Sequence, residues 1–116
     1  RLLMGVIHTI GVRRDAQAVE ILGKLLYDSD AEVAQASASS LGMISNAAAA
    51  KLLREALSKT KAPVFPVVAR AALLCAERTL ATDRKTAIEM YNALSATNMP
   101  KPVRQAAFRE LMLLQT

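Results

Sequence analysis

Apolar residues recur along this chain every three or four positions, and the recurrence breaks at short polar or proline-containing segments. That period belongs to helices with one buried face; no stretch has the strict alternation of a half-buried strand. Leu3, Val6, Ile7 and Ile10 form a first stripe, closed by Gly11, a residue suited to a helix C-cap. Val12 to Asp15 is a connector, with Asp15 a candidate N-cap. Val19, Leu22, Leu25 and Leu26 predict a second helix over 16–27. The turn Asp28-Ser29-Asp30 is so short that the next helix must run antiparallel to it. Ser29 followed by Glu32 reads as a capping box, hydroxyl to one free N–H and carboxylate back to another.

A third helix is expected over 31–44, with Val33, Ser37, Ser40, Leu41 and Ile44 inward. Its small residues let a neighbouring backbone come close. Ser45-Asn46 caps a fourth helix, 47–58, whose inward positions are Ala50, Leu53, Ala56 and Leu57. A basic, proline-terminated linker over 59–63 precedes a helix over 64–80. Pro66 must lie in its first turn, because an interior proline removes a hydrogen bond and clashes. Asp83 caps a helix over 84–95, with Ala87, Met90, Tyr91 and Leu94 inward. Asn98 to Pro102 breaks the chain, and a last helix over 102–114 has Pro102 in its opening turn.

These helices repeat. Ala18-Val19-Glu20-Ile21-Leu22 matches Ala87-Ile88-Glu89-Met90-Tyr91 after 69 positions. Residues 36–41 match 68–73 at a spacing of 32, and these match 106–111 at 38. Ile7 and Ile10 match Leu41 and Ile44 at 34. Two helices per unit at such spacing are the signature of a helical solenoid. The expected fold class is therefore all-α: a right-handed α-solenoid of antiparallel helix pairs with about seven helices. It forms one repeat domain over 1–116, with approximate units 1–11 (a half repeat), 16–45, 47–80 and 83–114. The unit from Leu22 to Leu57 is the best preserved, and the others read as edited copies of it.

Leu25-Leu26-Tyr27-Asp28-Ser29-Asp30-Ala31-Glu32-Val33 gives a first helix, an acidic turn and a valine opening the second helix. Leu41-Gly42-Met43-Ile44 and Ile10-Gly11 resemble the Leu-Gly-x-Ile-Gly close of a HEAT repeat. On these residues the chain resembles the HEAT and bacterial HEAT-like repeat family. The Arg that the family commonly places after the valine of the second helix is replaced by Ala34 and by Pro66, and only Val103-Arg104 keeps it. The Asp–Arg ladder between turns is thus mostly absent. The short units favour the bacterial HEAT-like class. Cys75 to Tyr91 departs most and is locally similar to tetratricopeptide helices.

Ala and Leu carry the packing: 53% of the chain is hydrophobic and only 3% aromatic. Four Gly and four Pro argue against disorder. The single cysteine, Cys75, excludes an intrachain disulfide. No apolar run approaches the roughly 20 residues of a membrane span. The chain opens at Arg1 inside an apolar pattern and is read as a segment of a longer protein, so localisation is left unassigned. Residues 1–58 hold six basic and six acidic side chains, and residues 59–116 nine basic and four acidic, so the net charge of +5 lies in the second half. Such a half attracts phosphate or acidic partners, although surplus Lys and Arg also serve solubility.

Chemistry is sparse. His8 is the single histidine and Cys75 sits in apolar Leu73-Leu74-Cys75-Ala76, the setting of an inert buried thiol. One His and one Cys make no zinc set, and Asp28 and Asp30 flank a turn where capping is the natural role. Glu20 and Glu89 occupy equivalent repeat positions, which places them on solvated outer faces rather than in an acid/base pair. There is no Gly-rich phosphate loop. The resembled family includes bilin lyases and DNA glycosylases, but no motif carries either activity over. No catalytic residue, metal site or cofactor is expected, and the chain is not read as an enzyme.

The resemblance implies partner binding along the groove lined by the second helix of each pair. Off the core stripe that face holds Met4, His8, Gln35, Ser39, Met43, Arg70, Gln105 and Arg109, neutral early and basic late. It lacks the aromatic interleaving of single-stranded nucleic-acid grooves; Phe65 and Phe108 are read as core or end-cap residues. The expected function is a scaffold for a protein or peptide partner. Polyanion binding through the basic half, or service as a spacer beside a catalytic module, are the alternatives.

Overall fold

The computed structural model describes residues 18–114. Among them are six helices and no strand: α1 (Val19–Leu25), α2 (Ala31–Ile44), α3 (Ala47–Lys59), α4 (Val64–Thr79), α5 (Arg84–Leu94) and α6 (Lys101–Leu114). The expected seventh helix, over 1–10, lies outside the described residues, as do Asp15 and the start of the helix expected from 16.

Three of the helices, α2, α3 and α5, begin at a side chain that satisfies a free N–H of the helix start, whereas α1 and α4 begin at Ala18 and Pro63 with no side-chain cap. Asn46 accepts from the Ala49 N–H at 2.8 Å, and Asp83 from the Thr86 N–H at 3.1 Å. The capping box expected at Ser29 is not the cap of α2. Asp30 is the N-cap and its carboxylate accepts from the Glu32 N–H at 2.9 Å, while Asp28 accepts from the Asp30 N–H at 2.8 Å. A carboxylate next to the first turn also meets the positive end of the helix dipole, which a hydroxyl one residue earlier does not. α1 ends at Leu25 rather than at Tyr27. The N–H groups of Tyr27 and Asp28 turn back to Lys24 and Leu25, tightening the chain into the reversal. Pro66 and Pro102 both lie in first turns, where a missing N–H costs nothing.

Helices packed in sequence form antiparallel pairs, and the pairs stack in two layers. α1, α3 and α5 form one layer; α2, α4 and α6 form the other, with α2 against α4 the most extensive contact. The Cα extents of 46 × 28 × 17 Å fit a two-layer slab. This is an α-solenoid. One continuous core runs between the layers, from Val19, Leu22 and Leu26 through Leu41, Leu53, Val68 and Tyr91 to Val103. The inward positions expected from the periodicity of α2, α3 and α5 are all buried. Ser37 is fully buried yet satisfied, its hydroxyl donating to the Val33 carbonyl at 2.9 Å. Phe65 is half-buried against the core. Phe108 is not a core residue: it is 58% exposed, because α6 turns it, with Met112 and Leu113, away from α4 and α5.

Two contacts clip α2 to α4 near opposite ends. The Gln35 amide donates to the Pro63 carbonyl at 3.0 Å, and the Arg78 guanidinium donates to the Met43 carbonyl at 3.1 Å. In the other layer Arg54 of α3 pairs with Glu89 of α5 at 3.3 Å. Both side chains are nearly half exposed, so this pair adds little stability. Glu89 is thus an outer-face residue held in an ion pair.

Candidate functional site

The α2–α4 contact leaves a groove on the outer face of its layer, with a volume of about 520 Å³. α2 contributes Glu32, Gln35, Ala36, Ser39 and Met43; α4 contributes Val67, Arg70, Ala71 and Leu74. Both sets follow i, i+3, i+4, i+7 spacing, one face of each helix. The floor is apolar, with Arg70 on one wall and Glu32 at the N-terminal end of α2. Farther along, between α4 and α6, lies a smaller pocket of about 320 Å³ lined by Pro66, Arg70, Leu73, Pro100, Pro102 and Val103. Arg70 belongs to both and stands between them.

Four of the positions expected on this face, Gln35, Ser39, Met43 and Arg70, are brought together in the groove. Gln105 and Arg109 are exposed on α6 and line neither pocket. Met4 and His8 lie outside the described residues. The polar-position reading missed the small and apolar residues Ala36, Val67, Ala71 and Leu74, which make the floor. On sequence alone they read as core residues, and the packing of α2 against α4 is what makes them a floor.

Elsewhere the reactive groups are quiet. Cys75 is fully buried, its Sγ 3.9 Å from the Thr79 hydroxyl, and burial pushes its thiol pKa up. Such a thiol is held in its unreactive form. Among the described residues no cluster of three or more His, Cys, Asp or Glu could hold a metal ion. No helix among them is long and apolar enough to cross a membrane.

The family model described as HEAT repeats matches residues 3–74, well over half of the sequence. The chain belongs to the HEAT-repeat family. HEAT repeats are helical-repeat scaffolds for protein interaction, and their fold is typically non-catalytic. The match ends at Leu74, one residue before the segment Cys75 to Tyr91 in which the repeat pattern departs most. The HEAT architecture nevertheless continues, since α5 and α6 pack onto α4 in the same two layers. No curated protein and no solved structure matches the chain.

Proposed function

We propose that this chain is a non-catalytic HEAT-like scaffold, of the bacterial class, that binds a protein or peptide partner along the α2–α4–α6 face. The observation that carries this reading is the groove of about 520 Å³ with an apolar floor and a few polar groups at its walls. That mixture of apolar area and sparse polar orientation suits side chains of a bound segment. Gln105 and Arg109, exposed on α6, are taken to extend the same face beyond the groove. The second reading, a polyanion bound by the basic half, draws on Arg70, Lys101, Arg104 and Arg109, but the groove contains Glu32 and no aromatic side chain on which bases would stack.

A peptide library displayed on phage and selected on the whole chain tests the reading. Selected peptides should bind wild type and be displaced when Ser39→Trp fills the groove; peptides that bind the Trp variant equally well would place binding elsewhere. Titration with single-stranded DNA at two salt concentrations separates the second reading. Phosphate binding weakens steeply as salt rises, whereas a peptide in an apolar groove responds little.

A further inference from the structure

Arg70 is exposed, and it makes no hydrogen bond or ion pair with any described residue. The other arginine on α4, Arg78, is committed to the Met43 carbonyl, and Arg104 of α6 donates to the Thr97 carbonyl at 3.2 Å. Arg54 is paired with Glu89, and Arg84 donates to the Leu114 carbonyl at 2.7 Å. Arg70 therefore differs from these arginines in having a free guanidinium, and it is the one flanked by apolar recesses on both sides. Toward α2 the recess has Ala36, Val67, Ala71 and Leu74; toward α6 it has Pro66, Leu73, Pro100 and Val103. The proline-lined recess holds no polar side chain other than Arg70 itself.

We propose that this arrangement reads a short protein segment in which one carboxylate is flanked on both sides by apolar side chains. The inference rests on the groove-binding reading above and names the partner chemistry. An Asp or Glu meets the Arg70 fork, which suits bidentate carboxylate binding better than any single donor. One apolar side chain enters the α2–α4 groove and another enters the proline-lined pocket. Two apolar anchors exclude water around the ion pair, which strengthens it relative to an isolated surface pair.

The test selects random twelve-residue peptides on the whole chain and measures the best of them by fluorescence anisotropy. The expected consensus is apolar–Asp/Glu–apolar. Arg70→Glu should weaken its binding roughly tenfold or more, as loss of a central charged anchor does. Lys24→Glu, on the opposite layer, should leave affinity unchanged. Changing the peptide acid to Lys should restore binding to the Arg70→Glu variant, an outcome that altered folding would not produce. Circular dichroism confirms that each variant retains its helices. A consensus without a carboxylate, or equal binding by Arg70→Glu, overturns this inference and leaves groove binding standing. Recovery of no peptide, or displacement of every peptide by single-stranded DNA in a salt-sensitive manner, overturns both.

Discussion

Gly42 of α2 and Ala71 of α4 set how closely two successive repeats approach. A Cβ placed on Gly42 would lie 3.0 Å from the Ala71 carbonyl oxygen and 3.1 Å from its Cα and Cβ. Two of these neighbours are backbone atoms, so Gly42→Ala must push the helices apart beneath the groove. Gly23 on α1 meets only the side chain of Leu52, at 2.9 Å from Cδ1, and that half-buried side chain can rotate. Alanine in place of a helical glycine favours the helix by about 1 kcal/mol, whereas overpacking costs about 1–3 kcal/mol. Gly42→Ala should therefore lower stability by about 1 kcal/mol, while Gly23→Ala should leave it unchanged or raise it by up to about 1 kcal/mol. Urea denaturation of both variants decides; shifts of the same sign and size would sink the distinction.

Much of this fold is legible in the apolar period alone, because each helix has one face that packs, and α2, α3 and α5 also have a side chain that caps their start. Asn46 and Asp83 announce their helices, and both cap them. At Asp28-Ser29-Asp30 three consecutive capping residues compete, and sequence spacing does not rank them; the carboxylate one residue later wins on geometry and dipole. Phe108 shows the other limit. Its aromatic ring suggests burial, but whether a helix at the edge of a layer has a neighbour on a given side depends on the tertiary arrangement. At the candidate site the polar wall positions were readable as residues off the core stripe. The floor was not, since Ala36, Val67 and Ala71 look like core residues until the two helices are set side by side.

Charge on the groove side and charge in the turn should separate binding from stability. Combined charge reversal at Arg70 and Arg109 is expected to weaken peptide binding with little change in thermal midpoint, because both side chains are exposed. Asp30→Ala removes the cap of α2 and should cost about 1 kcal/mol, with Asp28→Ala costing less. Neither aspartate borders the groove, so affinity measured on the folded fraction should be unchanged. Anisotropy and thermal melts on the same preparations check this. Unaltered binding by the double reversal would remove the role assigned to the basic side of the face.

Tyr91 is fully buried on α5, and its hydroxyl has no hydrogen-bond partner among the described residues. An unpaired buried donor costs about 1–3 kcal/mol, so Tyr91→Phe should be neutral or stabilise the fold by about 1 kcal/mol at neutral pH. Burial, together with the nearby charges of Glu110 and Glu77, pushes the Tyr91 pKa up to about 12. A folded-state pKa raised above the unfolded value means that the associated stability is complete below about pH 10 and is lost as pH rises through about 12. The advantage of Tyr91→Phe should therefore widen in alkali. Denaturant titrations across that range test it, and a destabilised variant at neutral pH would mean that the hydroxyl is bonded after all.

Asp83, the cap of α5, is a group whose contribution changes at the acid end. Its carboxylate accepts from the Thr86 hydroxyl at 2.6 Å and from the Thr86 N–H at 3.1 Å. The hydroxyl bond first, and then the backbone bond, hold its pKa below the usual aspartate value of 3.8. A depressed folded-state pKa contributes stability that is present above the unfolded value and disappears as pH falls through the folded one. Asp83→Asn keeps a capping oxygen but has no charge to lose. The wild type should be the more stable of the two at neutral pH, and the gap between them should close as the solution is acidified below the ordinary aspartate pKa. Thermal melts of both proteins in steps toward strong acid read this directly, and a gap that stays constant would show that the charge on Asp83 contributes nothing to the start of α5.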